Sequence, residues 1–387
     1  MTKDFVYFDH AATTPTDKRV LKKMLPYFDA DFANPSSLYL PALKAKKAVD
    51  GSRAQIAKFL NCKPSEIIFT AGGTESDNLA VLGTARSLKL KGERVKGHII
   101  TTQIEHPAVL NACRQLKKEN FDVTYLPVDR DGIVKLDGLK KALRKDTVLV
   151  SIMYANNEIG TIQPIAEISK ILAKRKILFH SDACQAAGYL PMDAKKLGVD
   201  LLTINGSKIY GPKGIGVLYI KKGVEIEPIT FGGGQENGLR SGTENVPAIV
   251  GLAAAISLLR GKGKGESEKK LRDYIIQELL KIPNSKLNGH RTKRLPNNIN
   301  ISFEGVEGES LVLYLDKEKI YTSTGSACSS TSLDPSHVIM AITNDAERAH
   351  SSLRVTLGRS TTKKDADKLI SATKKYVKKL REMSAVK

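Results

Sequence analysis

A chain of 387 residues, 41% of them hydrophobic, can bury a large core and make two domains, or one large domain with a smaller companion. No run is long and apolar enough for a membrane span, and the start, MTKDFVYFDH, lacks the apolar core and cleavage pattern of a signal peptide, so a cytoplasmic protein with no membrane role is expected. The formal net charge of +20 raises the question of nucleic acid, but lysine clusters such as LKAKKAV and LLRGKGKGESEKK fall on expected outer helix faces and loops. With 6% aromatic residues there is no interleaved stacking pattern, and no dedicated nucleic-acid groove is expected. The four cysteines, Cys62, Cys113, Cys184 and Cys328, form no CxxC pair, which argues against a disulfide framework, a zinc ribbon or a dithiol redox motif.

From about residue 67 the chain alternates strand-like and helix-like stretches. IIFT, HIITT, VTYLPV, TVLVSIMY, ILFHSD and LLTIN are β-rich; helical stretches begin near Thr74, Pro107, Leu136 and Pro164. This rhythm predicts βαβ units in an α/β fold, with a mostly parallel sheet covered by helices. After GVLYI come helical patterns near 245–260 and 265–281. NINISFE, the helical SLVLYLDKEKI, SSLRVTL and a lysine-rich last helix then suggest a smaller α+β domain. The glycine-lysine stretch GKGKGES, 261–267, marks the break, giving a large domain over 16–260 and a small one from 1–15 and 261–387.

In open parallel sheets ligands gather at the carboxyl ends of strands, and five strand ends here carry chemistry. IIFT leads into AGGTESDN, where Gly72 and Gly73 permit close backbone approach and Thr74 sits near a helix N-cap, a seat for phosphate or an ordinary capping turn. HIITT leads to His106, which can stack on a flat ring or move protons, although a lone histidine there is more often satisfied by a cap. TVLVSIMY ends in ANNEIG, bringing Asn156, Asn157 and Glu158 to the same rim. ILFHSD ends at Asp182, with Gln185 one turn on; a carboxylate at a buried strand end predicts a cation nearby. LLTIN delivers Ser207 and Lys208.

A lysine at a loop start is ordinarily a solvated charge. Together with a phosphate seat, a stacking group, amides and a carboxylate, Lys208 reads differently. Pyridoxal phosphate needs that set: an amine to hold its aldehyde, an aspartate to keep its pyridine nitrogen protonated, and helix N-terminal amides for its phosphate.

The ordered motifs FDHAATTP, NPSS, TESDN, EH, NNEIG, SDACQ, SKIYGPKGIG, GGGQENGLRSGTEN, STGSACSS and SLRVTLGR span essentially the whole chain. In them the chain resembles the cysteine desulfurases of the NifS/IscS type, within the class V aminotransferase-like pyridoxal phosphate enzymes of fold type I. The resemblance implies that Lys208 anchors the cofactor, Asp182 pairs with the pyridine nitrogen and His106 stacks on the ring. It also implies that Gln185 and Asn157 contact the ring oxygen, while Thr74, Ser207 and the glycine turn at Gly73 serve the phosphate. Thr243 would reach the phosphate of a partner subunit, making a homodimer with shared active sites.

The implied reaction takes sulfur from L-cysteine, leaving alanine and a persulfide on Cys328. Cys328 lies in the loop at about 321–335, where YTSTGSACSSTSLDPS is polar and glycine-rich, unlike the setting of an inert core thiol. Arg354 in SSLRVTLGR matches the arginine that clamps the substrate carboxylate; a structural ion pair, and the nearby Arg359, are the competing assignments. Sulfur acceptors would be an iron–sulfur scaffold or a tRNA-thiolation enzyme.

Four positions depart from the family pattern. Asn205 and Ser207 stand where a serine and a histidine usually precede the lysine, Tyr39 replaces a common histidine, and Cys184 adds a thiol beside Asp182, read as a small core residue. Rival readings are a selenocysteine lyase or another class V activity, and a basic tRNA-binding or sulfur-carrier-binding adaptor with a decayed site.

Overall fold

A computed structural model of the chain describes residues 5–90, 97–259, 265–325 and 334–383. The first elements are a short strand β1 (Val6–Tyr7) and helices α1 (Lys18–Met24) and α2 (Leu40–Leu60). Small and branched residues on one side of α2, including Ala42, Ala45, Val49, Ile56 and Leu60, are buried, and the helix stops where Asn61 turns left-handed at φ 55°.

The apolar strands then follow in sequence: β2 (Ile67–Thr70), β3 (His98–Thr102), β4 (Asp122–Leu126), β5 (Thr147–Ser151), β6 (Leu178–Asp182), β7 (Leu201–Asn205) and β8 (Gly216–Ile220). Between them run α3 (Gly73–Asn78), α4 (Thr84–Leu90), α5 (Pro107–Lys118), α6 (Leu136–Ala142), α7 (Ile165–Leu172) and α8 (Ala194–Leu197). The sheet order is β2-β8-β7-β6-β5-β3-β4. Every pairing is parallel except those of β8, which runs antiparallel to β2 and β7. Reversal of β8 puts its first residue, Gly216, at the rim where the other strands end. There a Cβ would lie 2.6 Å from the Gly72 carbonyl carbon, so only glycine lets the two backbones meet.

Beyond α9 (Val246–Ser257) and α10 (Glu266–Leu279), a second sheet forms from β9 (Ser285–Leu287), β10 (Asn298–Phe303) and, after α11 (Gly308–Lys317), β11 (Ile320–Tyr321), α12 (His337–Thr343) and α13 (Ala346–His350), from β12 (Ser352–Thr356). Strand β10 lies in the middle, antiparallel to β9 and β12, while β1 pairs with β11. The last helix, α14 (Lys363–Met383), packs on α10 and α11. Phe8, Ile275, Ile299, Phe303, Leu315, Val355 and Leu369 belong to the core of this second body.

That core is separate from the one around the large sheet, but the sequence ranges interleave. Leu295, Val338, Ile339, Ile342 and Ala349 pack into the large core although they come after residue 261. Part of the 261–267 break lies outside the described residues. Helices α12 and α13, of seven and five residues, were not anticipated, because so few residues carry no readable period. No described helix is long and apolar enough to cross a membrane. Among the described residues no group of His, Cys, Asp and Glu is arranged to hold a metal ion.

Candidate active site

A cavity of about 260 Å³ opens where β5, β6 and β7 end, lined by Ala11, Ala12, Gly73, Thr74, Asp77, His106, Met153, Asn157, Asp182, Cys184, Gln185, Asn205, Lys208 and Arg354. Residues spread over more than 340 positions meet here because a parallel sheet brings its strand ends to one side. A second hollow continues from it over the start of α3, sharing Gly73, Thr74 and Asn205 and adding Thr13, Ser207, Lys213 and Gly214.

Lys208 is delivered by a tight turn. Asn205, the last residue of β7, accepts the backbone N–H and the hydroxyl of Ser207 on its side-chain oxygen, both at 3.2 Å. This Asx turn follows the strand end, and Lys208 after it lines the cavity. The Lys208 Nζ then donates to the Ala12 carbonyl at 2.5 Å. The N-terminal segment is itself pinned there, with Thr14 donating from N–H and hydroxyl to the Ser207 carbonyl.

Asp182 ends β6, is 7% exposed, and accepts the Cys184 N–H at 2.8 Å. The Cys184 thiol is buried beside it, and burial pushes its pKa well above the ordinary thiol range, so it stays a neutral packing group. His106 caps α5, its Nδ1 accepting the Ala108 N–H at 3.1 Å, which leaves Nε2 to carry the proton of the neutral ring. Burial lowers the His106 pKa, with Lys208 and His337 acting in the same direction and Asp182 opposing. Gln185 donates to the Ala11 carbonyl at 3.0 Å.

Arg354, in the middle of β12, is buried and enters the cavity from the second body. Its Nη2 is 2.8 Å from Asp9 Oδ1, and its Nη1 donates to the Asn157 carbonyl at 3.4 Å. The competing Arg359 points elsewhere: its guanidinium lies 4.2 Å from the Tyr210 ring centroid and 3.9 Å from Asp17. Thus Arg354 both makes a structural ion pair and lines the cavity.

The structure does not bring every expected residue together. Ser207 lines the outer hollow and not the inner cavity, and Thr243 is exposed and lines neither. Cys328 lies outside the described residues.

Two buried carboxylates at the site were missed. Asp77 sits on α3 one turn after Gly73; burial raises its pKa well above the carboxylate range, the neighbouring Asp182 adds to this, and the Thr203 hydroxyl opposes it. A spacing of four residues from Gly73 was the available signal. Glu105, beside His106, accepts the Thr102 hydroxyl at 2.7 Å and the Met153 N–H at 3.0 Å, and burial pushes it up to about 8. Behind them His180 is held neutral, down to about 4, by burial between the Ser151 and Thr203 hydroxyls.

Comparison with known proteins agrees with this geometry. The family model described as Aminotransferase class-V matches residues 6–369. A cysteine desulfurase IscS of Dictyoglomus turgidum is 52% identical over 99% of this chain and 97% of its own. Among solved structures, a NifS-like protein superposes with a TM-score of 0.90 at 37% identity, covering 97% of this chain and 99% of that one. Another, described as SspA in complex with cysteine, gives a TM-score of 0.81 at 37% identity, covering 91% of this chain and 98% of that one. The chain belongs to the class V aminotransferase family, with the fold type I architecture, and within it to the cysteine desulfurases of the NifS/IscS type.

Proposed function

We propose that this protein removes sulfur from L-cysteine with the help of pyridoxal phosphate, releasing alanine and leaving a persulfide on Cys328. The single observation that carries the reading is the cavity that unites Lys208, Asp182, His106 and Arg354. Its residues suit the cofactor: a primary amine, a buried carboxylate for a ring N–H, and an open turn at Gly72–Gly73 with the first amides of α3 for a phosphate. Gln185 and Asn157 would contact the ring oxygen, and Thr74 and Ser207 would serve the phosphate.

When bound, pyridoxal phosphate supplies an aldehyde that captures the substrate amine and a protonated ring that draws electrons from its α-carbon. Lys208 anchors the cofactor and, once displaced by substrate, takes the α-proton. Arg354 clamps the substrate carboxylate with its planar fork, held in place by Asp9. The neutral His106 ring, with its proton on Nε2, would stack on the bound cofactor ring and handle the proton at the substrate sulfur. The Cys328 thiolate attacks that sulfur, the Cβ–S electron pair stays on carbon, and protonation completes alanine. The persulfide then passes to an acceptor such as an iron–sulfur scaffold or a tRNA-thiolation enzyme.

We further propose a homodimer in which Thr243 completes the partner's phosphate site. Leu25, Phe28, Phe32, Leu38 and Leu40 are all exposed on one protomer, as is Phe231, and apolar exposure on that scale fits burial against a second copy. The two bodies are proposed to act as a cofactor-binding part and a part that carries Arg354 and Cys328. The test is a visible spectrum with and without L-cysteine, followed by an alanine assay. A colourless protein that bound tRNA and released no alanine would revive the adaptor reading.

A further inference from the structure

Arg359 does not line the inner cavity, yet it packs against the turn that carries Lys208. Tyr210, two residues after the lysine, sits in the left-handed region at φ 63°. A bulky aromatic residue takes that conformation only where its surroundings hold it there. Three hydrogen bonds do so. The Tyr210 N–H donates to the Thr14 hydroxyl at 2.7 Å, the Tyr210 carbonyl accepts the Asp17 N–H at 3.0 Å, and the phenol oxygen accepts the Arg359 N–H at 2.8 Å.

Arg359 grips the same ring a second time. Its guanidinium carbon stands 4.2 Å from the ring centroid, and its Nη1 is 3.9 Å from Asp17 Oδ2. Burial raises the Tyr210 pKa, with the Arg359 N–H and charge opposing, so the phenol stays neutral. On the other side of Lys208, the Ser207 carbonyl accepts the N–H and the hydroxyl of Thr14 at 2.8 and 2.9 Å. The lysine thus lies between two tied residues. Besides the inner cavity, Lys208 lines a second hollow of about 70 Å³ together with Tyr210 and Arg359. Arg359 follows β12, the strand of Arg354, by three residues, so one stretch of the second body reaches both the cavity and the lysine turn.

We propose that Tyr210 and Arg359 are positioning residues: the ring, gripped by Arg359, holds the left-handed turn that sets where the Lys208 amine stands. Fixing the backbone two residues from a long side chain limits the positions its tip samples, which raises the rate at which the amine meets an aldehyde held in the cavity. The inference rests on the reading of Lys208 as the cofactor anchor. Neither Tyr210 nor Arg359 touches substrate or cofactor in this account.

The test adds pyridoxal phosphate to the cofactor-free full-length protein and follows the growth of visible absorbance. In Tyr210→Ala and Tyr210→Gly the rate falls by about tenfold. Glycine enters the left-handed turn without strain, so Tyr210→Gly keeps its far-ultraviolet circular dichroism and separates positioning from folding. Tyr210→Phe keeps the ring beneath the guanidinium and stays within about threefold of the parent. Arg359→Ala keeps the backbone bond, loses the guanidinium and slows capture by about threefold. Adding it to Tyr210→Ala costs nothing further, because the ring it grips is gone. A parental rate in Tyr210→Gly, loss of its fold, or multiplying effects in the pair overturns the proposal. Failure of the anchor reading is seen separately, as borohydride reduction of the parent that fixes cofactor mass on a residue other than Lys208. In that event the latch is scored by acetylation of Lys208, read by mass spectrometry in the cofactor-free protein. Its rate rises by at least about threefold in Tyr210→Gly and Arg359→Ala if the pair holds the turn, and is unaltered if it does not.

Discussion

Arg354 Nη2 donates to Asp9 Oδ1 across 2.8 Å, joining the centre of β12 to the N-terminal segment that also holds the Lys208 amine through Ala12. The guanidinium is buried and its direction depends on that partner. Asp9→Asn keeps the shape but removes the charge, so the fork loses its strongest contact. Steady-state kinetics are expected to show KM for L-cysteine raised about tenfold with kcat within about threefold. An unchanged KM would show that Arg354 keeps its place without Asp9.

Lys208 and Cys328 are expected to separate by colour. Cys328→Ala retains the yellow of the bound cofactor but forms no persulfide, whereas Lys208→Ala loses the normal cofactor absorbance together with turnover. Visible spectra and a sulfide assay on the two purified variants decide it. Sustained sulfide release by Cys328→Ala would refute the nucleophile assignment.

Gly73 and Cys184 form a tight pair, for a Cβ on Gly73 would lie 2.7 Å from the Cys184 sulfur. Gly73→Ala overpacks a buried site and is expected to destabilise the cofactor-free protein by about 1–3 kcal/mol. Cys184→Ala in the same chain removes the colliding sulfur and recovers most of that loss. Chemical denaturation of the two variants and their combination measures the coupling; additive losses would place the strain elsewhere.

Glu105 gives the stability a pH dependence with a definite sign. Its folded-state pKa is raised to about 8 by burial, from an ordinary 4.5, with the Thr102 and Met153 hydrogen bonds opposing. Below 4.5 the acid is protonated in both states and costs nothing. Between 4.5 and 8 the unfolded chain releases the proton and the folded chain keeps it, so this contribution declines as pH rises, by on the order of 5 kcal/mol across the window. Glu105→Gln is therefore expected to raise the melting temperature at pH 8 and to leave it unchanged at pH 4. An equal shift at both pH values would mean that Glu105 acts through packing alone.

How much of this was legible beforehand depends on whether a residue's role is written in its neighbours. Asp182, His106 and Lys208 each end or follow a short strand-like run, and a run of that kind fixes a strand whose end lies on the ligand side of a parallel sheet. The seven-stranded sheet and the helices at Pro107 and Leu136 were readable for the same reason, since period and punctuation are local. The reversed placement of β8 between β2 and β7 was not, because GVLYI reads the same in either direction. No local pattern marks Asp77 and Glu105 as buried, and only packing reveals it.

What the sequence determined by itself is which residues stand at the strand ends, and the family, since these rest on residue types in fixed local order. The tertiary structure decided which of Arg354 and Arg359 enters the cavity, that Asn205 forms the turn before Lys208, and that Arg359 packs over Tyr210. Each of these depends on contacts between distant segments, whose distances are set by how two cores pack and by no local pattern.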